Sequence, residues 1–124
     1  MNVICVDDHP IMLRGLYNTV TELLPGASVR PFTKAKDALE FAKSDGCDLL
    51  ICEIELHDMS GLTLAKQIKK LNSDVNIIFL TVCDAKEHAQ EVFTIKPSGY
   101  LVKPATKEEL QIELKNLRYN VNDA

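Results

Sequence analysis

Tryptophan is absent from this chain of 124 residues, and aromatic residues make up only 6% of it. No glycine-rich phosphate loop occurs either, so a flavin or other redox-nucleotide role has little to bind through. The longest uninterrupted apolar runs, such as Ile77 to Leu80, are far too short to cross a bilayer. Met1-Asn2-Val3 lacks the basic region and long apolar core of a signal peptide, and the cytoplasm is the expected compartment. There is also no basic run. With a formal net charge of −4, the segment lacks the phosphate-neutralising contacts that dominate nucleic-acid affinity, so any action on DNA belongs to another domain. The four cysteines, Cys5, Cys47, Cys52 and Cys83, include no C-x-x-C pair, and two of them sit within apolar strand-like runs. They read as small buried thiols rather than disulfides or a metal cage.

What the chain does contain is the composition of one soluble globular domain, 46% hydrophobic and 26% charged. Five short apolar runs alternate with five longer amphipathic ones. The first run, 2–6, precedes a segment 10–24 in which Met12, Leu13, Leu16, Val20, Leu23 and Leu24 recur at helical spacing. Residues 28–32 lead into a segment whose apolar face is Ala38, Leu39 and Ala42. Residues 48–53 lead into one carrying Leu62, Leu64, Ala65, Ile68 and Leu71. The runs 75–81 and 99–102 are each followed by a further helical pattern. The first, third and fourth runs are almost wholly apolar, as strands covered on both faces require. Strict strand–helix alternation predicts an α/β fold, an open parallel sheet between layers of helices. Pro10 suits a first helical turn, Pro25-Gly26 closes the first helix, and Thr106 to Glu109 spell a capping box. The polar end, 119–124, is expected to fray or to begin a linker to an output domain.

In an open α/β sheet, chemistry belongs at the carboxyl ends of the strands. Those ends carry Asp7-Asp8, Glu53, Thr81 and Lys103-Pro104. Adjacent acids repel one another unless a cation or the lysine neutralises them, and an all-oxygen donor set suits a hard ion such as Mg2+. Thr81 and Lys103 supply a donor and a point charge for phosphoryl oxygens. Taken singly, Asp7 and Asp8 could cap the first helix and Lys103 could be a solvated surface charge. The joint placement favours a site.

These residues carry a resemblance. "CVDDHPIMLRGL", "CDLLICEIELHDMSGLTLAKQIK", "IIFLTV" and "GYLVKP" resemble, in order and spacing, the receiver domain of two-component response regulators over residues 1–118. The resemblance implies a doubly wound, flavodoxin-like five-stranded sheet of order 2-1-3-4-5 with five helices. It also implies that residue 53 is the position that takes a phosphoryl group from a histidine kinase. Asp7, Asp8 and residue 53, with the backbone carbonyl of Glu55, would then hold Mg2+. Thr81 and Lys103 would contact the phosphoryl group, and Tyr100 would be the switch aromatic. Lys103-Pro104 would be cis. Receivers of this kind commonly dimerise through the face here formed by helix 84–94, strand 98–102 and helix 106–117. The closest likeness is to receivers that precede DNA-binding transcriptional output domains.

The chain departs from the family pattern at the residue that matters most. Residue 53 is glutamate, not aspartate, and its extra methylene advances the carboxylate by roughly 1.3–1.5 Å. Val82 stands where a small residue is usual after the threonine and could narrow access to the pocket. His57 replaces the usual proline and Ser60 the usual acid or amide. Three readings of Glu53 follow: a carboxylate standing in for the phosphoryl group, a structural ion pair with Lys103, or a slow acceptor with Mg2+ still bound.

Overall fold

The computed structural model describes residues 1–119, Ala85 by its backbone only. Residues 120–124, most of the segment read as a tail, lie outside the described residues. Five strands, β1 (Asn2–Val6), β2 (Ser28–Phe32), β3 (Leu49–Cys52), β4 (Asn76–Thr81) and β5 (Gly99–Val102), pair in the order β2-β1-β3-β4-β5. Every pairing is parallel. The connections are α1 (Pro10–Leu23), α2 (Ala35–Asp45), α3 (Gly61–Leu71), and a 3-10 turn, Ala85–His88, that leads into α4 (Ala89–Ile95). The last helix is α5 (Lys107–Lys115). This is the doubly wound arrangement that the alternation implied.

Period-two alternation along the central strands sorts the core into two layers. Ile4, Val6, Leu50, Cys52, Ile77 and Phe79 face α2, α3 and α4. Val3, Cys5, Leu49, Ile51 and Ile78 face α1 and α5, where Leu13, Leu16, Val20 and Leu110 close over them. The edge strands are only partly covered. All four cysteines are buried free thiols.

Helical periodicity overstates burial at two places. Met12 is 47% and Leu71 50% exposed. Each lies at the margin of its helix's apolar stripe, beside buried positions such as Leu13 and Ile68. The continuous helix expected over 84–94 is also broken. Asp84 caps Lys86 N at 2.8 Å and accepts Glu87 N through its carbonyl at 3.0 Å, so the segment starts as a tight 3-10 turn. It becomes α-helical only at Ala89, while the last helix ends at Lys115, not 117. Asp7 and Asp8 do not cap α1: its N-cap is His9, with no side-chain cap, and Pro10 occupies the first turn. The Thr106–Glu109 capping box is present in full.

Two side chains, Asp58 and Asn76, hold segments in place through bonds that are long-range in sequence. Asp58, in the loop after β3, accepts Ala35 N at 3.1 Å and Lys36 N at 2.9 Å, and so caps α2 from a distance in sequence. Buried Asn76 accepts Ser98 Oγ and Tyr119 N and donates to the Tyr119 carbonyl, which pins the chain after α5 against the sheet.

Gly61 opens α3 directly against β3's end. A Cβ there would lie 2.0 Å from the Glu53 carbonyl oxygen, a backbone atom that cannot swing aside. A Cβ on Gly99 would lie equally near Glu113 Oε1, but that is the end of a flexible side chain. Gly61→Ala is therefore expected to lose at least the roughly 1–3 kcal/mol typical of overpacking, and Gly99→Ala much less. Urea midpoints of the two variants, measured side by side, check the difference.

Candidate functional site

The chain steps from β1 out to β2 and then crosses back past β1 to β3, so the winding reverses beside β1 and opens a crevice beyond the ends of β1 and β3. Asp7, Glu53 and Thr81 are all buried there, at 3%, 3% and 0% exposure. The parallel register carries Val6, Cys52, Phe79 and Tyr100 to one level, so Asp7 and Glu53, one residue further on, and Thr81 and Lys103, two and three residues further on, share one pocket.

Glu53 is the hub. Its Oε2 accepts the Thr81 hydroxyl, Ile54 N at 2.8 Å and Glu55 N at 3.2 Å, while Oε1 receives Lys103 Nζ at 2.9 Å. The Lys103 ammonium also reaches Asp7 Oδ2 at 2.5 Å, so one cation bridges two buried carboxylates. Burial by itself would lower the Lys103 pKa, but hydrogen bonds and charge from Asp7 and Glu53 outweigh it and hold the pKa above the ordinary lysine value. The Lys103-Pro104 peptide is cis.

Thr81 passes this arrangement to the surface. Its hydroxyl oxygen accepts Cys83 N at 3.1 Å, and the Cys83 carbonyl accepts the Tyr100 hydroxyl at 2.8 Å. Tyr100 is partly buried and packs against Phe79, ring centroids 6.0 Å apart. Burial, followed by the charges of Cys83, Asp84 and Glu53, pushes the Tyr100 phenol up to about 12, which keeps it a hydrogen-bond donor. Val82 is 61% exposed and leaves the pocket floor to Glu53, Thr81 and Lys103.

The acidic pair lies beside this hub with two partners that sequence reasoning did not assign. Asp7 Oδ1 accepts His9 N at 3.0 Å, and His9 Nδ1 lies 3.3 Å from Asp7 Oδ1 and 3.2 Å from Asp8 Oδ1. Asp8 Oδ2 accepts His57 N at 3.0 Å and sits 2.9 Å from His57 Nδ1. His57, noted only as a departure from the family pattern, thus ties the loop after β3 to the acidic pair. His9 stood in plain view within "DDHP", but nothing in its spacing marked it as an acid's neighbour.

Asp8 Oδ1 is buried and makes no hydrogen bond, facing only the His9 ring nitrogen at 3.2 Å, and so has capacity for a cation. Asp7 and Asp8 therefore fit a hard divalent ion. Glu53's oxygens are already engaged by Thr81, Lys103 and two amides. Ser60 keeps a local task by capping α3 through Leu62 N at 3.1 Å.

The response regulator receiver domain model matches residues 3–115. The chain belongs to that family. Among curated relatives, the sensory transduction protein LytR of Staphylococcus haemolyticus is 27% identical over 124 residues, all of this chain and 48% of its own length. The positive alginate biosynthesis regulatory protein of Pseudomonas aeruginosa is 32% identical over 116 residues, 93% of this receiver and 46% of its own length. This receiver thus spans about half the length of such relatives. Among solved structures, Vibrio cholerae CheY4 superposes with a TM-score of 0.81 at 25% identity, covering 92% of this receiver and 95% of that chain. Thermotoga maritima TrrA, solved with Mg2+ and BeF, gives 0.79 at 28% identity, covering 92% and 96%. Receiver domains are signalling domains of two-component systems, and this receiver has their sheet order.

Proposed function

We propose that this receiver works without phosphorylation, with the Glu53 carboxylate standing in for a phosphoryl group and holding the output surface in its active arrangement. A single observation carries the reading. Glu53 engages Thr81, Lys103 and the backbone amides of Ile54 and Glu55 at once, and Tyr100 is turned in onto the Cys83 carbonyl. Thr81, Lys103 and Tyr100 are the groups that the family resemblance assigns to a bound phosphoryl group and its switch. A carboxylate carries one charge where a phosphoryl group carries nearly two, but a two-state element needs only a few kcal/mol of bias. The Glu53–Lys103 ion pair is present too, and the rival reading, a structural pair with no switch, differs in leaving Thr81 and Tyr100 indifferent to Glu53.

The output is transcriptional control through an attached DNA-binding domain, the kind of output that the family resemblance implies. The surface involved is α4, β5 and α5, where Phe93, Val102 and Ile112 are exposed and suited to a homodimer. The compartment is the cytoplasm; among the described residues no helix is long and apolar enough to cross a membrane. Asp7 and Asp8 would hold Mg2+, which supplies positive charge beside a phosphoryl group. The Asp8 oxygen that makes no hydrogen bond favours a second reading, in which a histidine kinase still phosphorylates Glu53 slowly with Mg2+ bound.

Backbone amide NMR distinguishes a switch held by Glu53 from a merely structural glutamate. Glu53→Ala is expected to shift the signals of Thr81 to Cys83 and Tyr100. Adding Mg2+ and beryllofluoride to Glu53→Asp should return them towards the native positions. Native-like signals for those residues in Glu53→Ala would refute the proposal.

A further inference from the structure

The geometry points to a zinc site on the turn between β4 and α4, formed by Cys83, Glu87 and His88. The Cys83 thiol, the Glu87 carboxylate and a His88 ring nitrogen lie within 4.8 Å of one another. Tetrahedral zinc places its ligand atoms roughly 3.5 Å apart, a spacing that small side-chain rotations reach from here. A thiolate, an imidazole and a carboxylate together suit zinc and not magnesium, which takes oxygen donors. This donor set is chemically separate from the acidic pair at the end of β1.

The local backbone brings the three together. An unbroken helix from Asp84 would run away from the strand, but here a 3-10 turn ends at His88, whose φ of −129° and ψ of 26° interrupt the helical path. Residues four and five positions after Cys83 thereby return to it. Exposure rises across the set, from buried Cys83 through half-buried His88 to exposed Glu87, which gives a metal a route in and leaves a fourth position for water. Cys83 also differs from the other cysteines: Cys5 and Cys52 lie within strands and Cys47 just before one, whereas Cys83 is in the turn.

Charge favours the ion as well. Burial, and then the charges of Glu55, Glu53 and Glu87, hold the Cys83 thiol above its ordinary pKa, against a hydrogen bond from Thr81 that lowers it. The same carboxylates attract a dication, and coordination expels the thiol proton to solvent. The consequence lies in what Cys83 already does. Its amide binds Thr81 and its carbonyl binds the Tyr100 hydroxyl, so a metal held here would clamp the turn that links the pocket to the α4–β5–α5 face. Such an input goes beyond the role proposed for Glu53, and the binding does not depend on it.

Cobalt(II) titration of the reduced full chain tests the assignment. One equivalent should produce a near-ultraviolet thiolate-to-cobalt charge-transfer band, which one equivalent of zinc then bleaches. Cys83→Ser should abolish the band. His88→Gln, at a more accessible position, should weaken zinc binding in chelator competition by more than the roughly 10- to 100-fold typical of outer-shell changes. Should Cys83→Ser lose its far-ultraviolet circular dichroism, His88→Gln alone decides, and unchanged affinity overturns the site. Absence of the band, its survival in a folded Cys83→Ser, or loss of binding in His9→Ala but not in Cys83→Ser also overturns it, the last by placing the ion at Asp7, Asp8 and His9.

Discussion

Incubated with Mg2+ and a small phosphoryl donor, the native receiver is expected to keep its mass, and Glu53→Asp to gain one phosphoryl group. In-line transfer depends on the position of the attacking oxygen, and a misplacement near 1 Å lowers such a rate by about 100-fold. Glutamate's extra methylene exceeds that distance. Its oxygens are also spent: one on Thr81 and two amides, the other on Lys103. Shortening the side chain withdraws the carboxylate from Thr81 and leaves the hydroxyl, the ammonium and the acidic pair free for an incoming phosphoryl group. Intact-mass spectrometry reads the result, and the variant's rate should exceed the native rate by at least about 100-fold. A phosphoryl gain by the native protein that Glu53→Gln abolishes would make Glu53 a working acceptor. An inert Glu53→Asp would instead move the block to the loop that His57 ties to Asp8, since Val82 stands in solvent.

Removing the cation should be the most damaging single change to stability. Lys103, Asp7 and Glu53 have side-chain exposures of 8%, 4% and 3%, so Lys103→Met strands two carboxylates out of water without a counter-charge. Breaking a buried pair in this way typically loses about 3–5 kcal/mol. Urea denaturation at neutral pH measures it, and Lys103→Met combined with Glu53→Gln should recover part of the loss, because one stranded charge is gone. A loss below about 1 kcal/mol would mean that the bridge behaves as an exposed pair. The pH dependence has a definite sign. The folded-state pKa of Lys103 is raised, so its contribution is complete below its ordinary value of 10.5 and declines as the pH rises through the raised folded value. The gap between native and Lys103→Met should therefore narrow only in that alkaline range.

Much of this receiver could be read from residue order alone. The almost wholly apolar runs at 2–6, 48–53 and 75–81 form central strands because a strand covered on both faces tolerates apolar residues at nearly every position. The placing of Asp7, Glu53, Thr81 and Lys103 in one pocket follows from that alternation, since parallel strands end on one side. Periodicity was a poorer guide where a stripe reaches the rim of a helix, as at Met12 and Leu71. It could not show the break at His88, which depends on Asp84 capping the turn.

The sequence by itself determined the sheet, the family and the identity of the pocket's residues, because these follow from local pattern and strand polarity. Only the tertiary structure decided that Glu53 serves Thr81 and Lys103 together, that His57 binds Asp8, and that Glu87 and His88 return to Cys83. Each of these is a meeting of side chains across loops, where ångström-scale backbone paths set the partners and no sequence period encodes them.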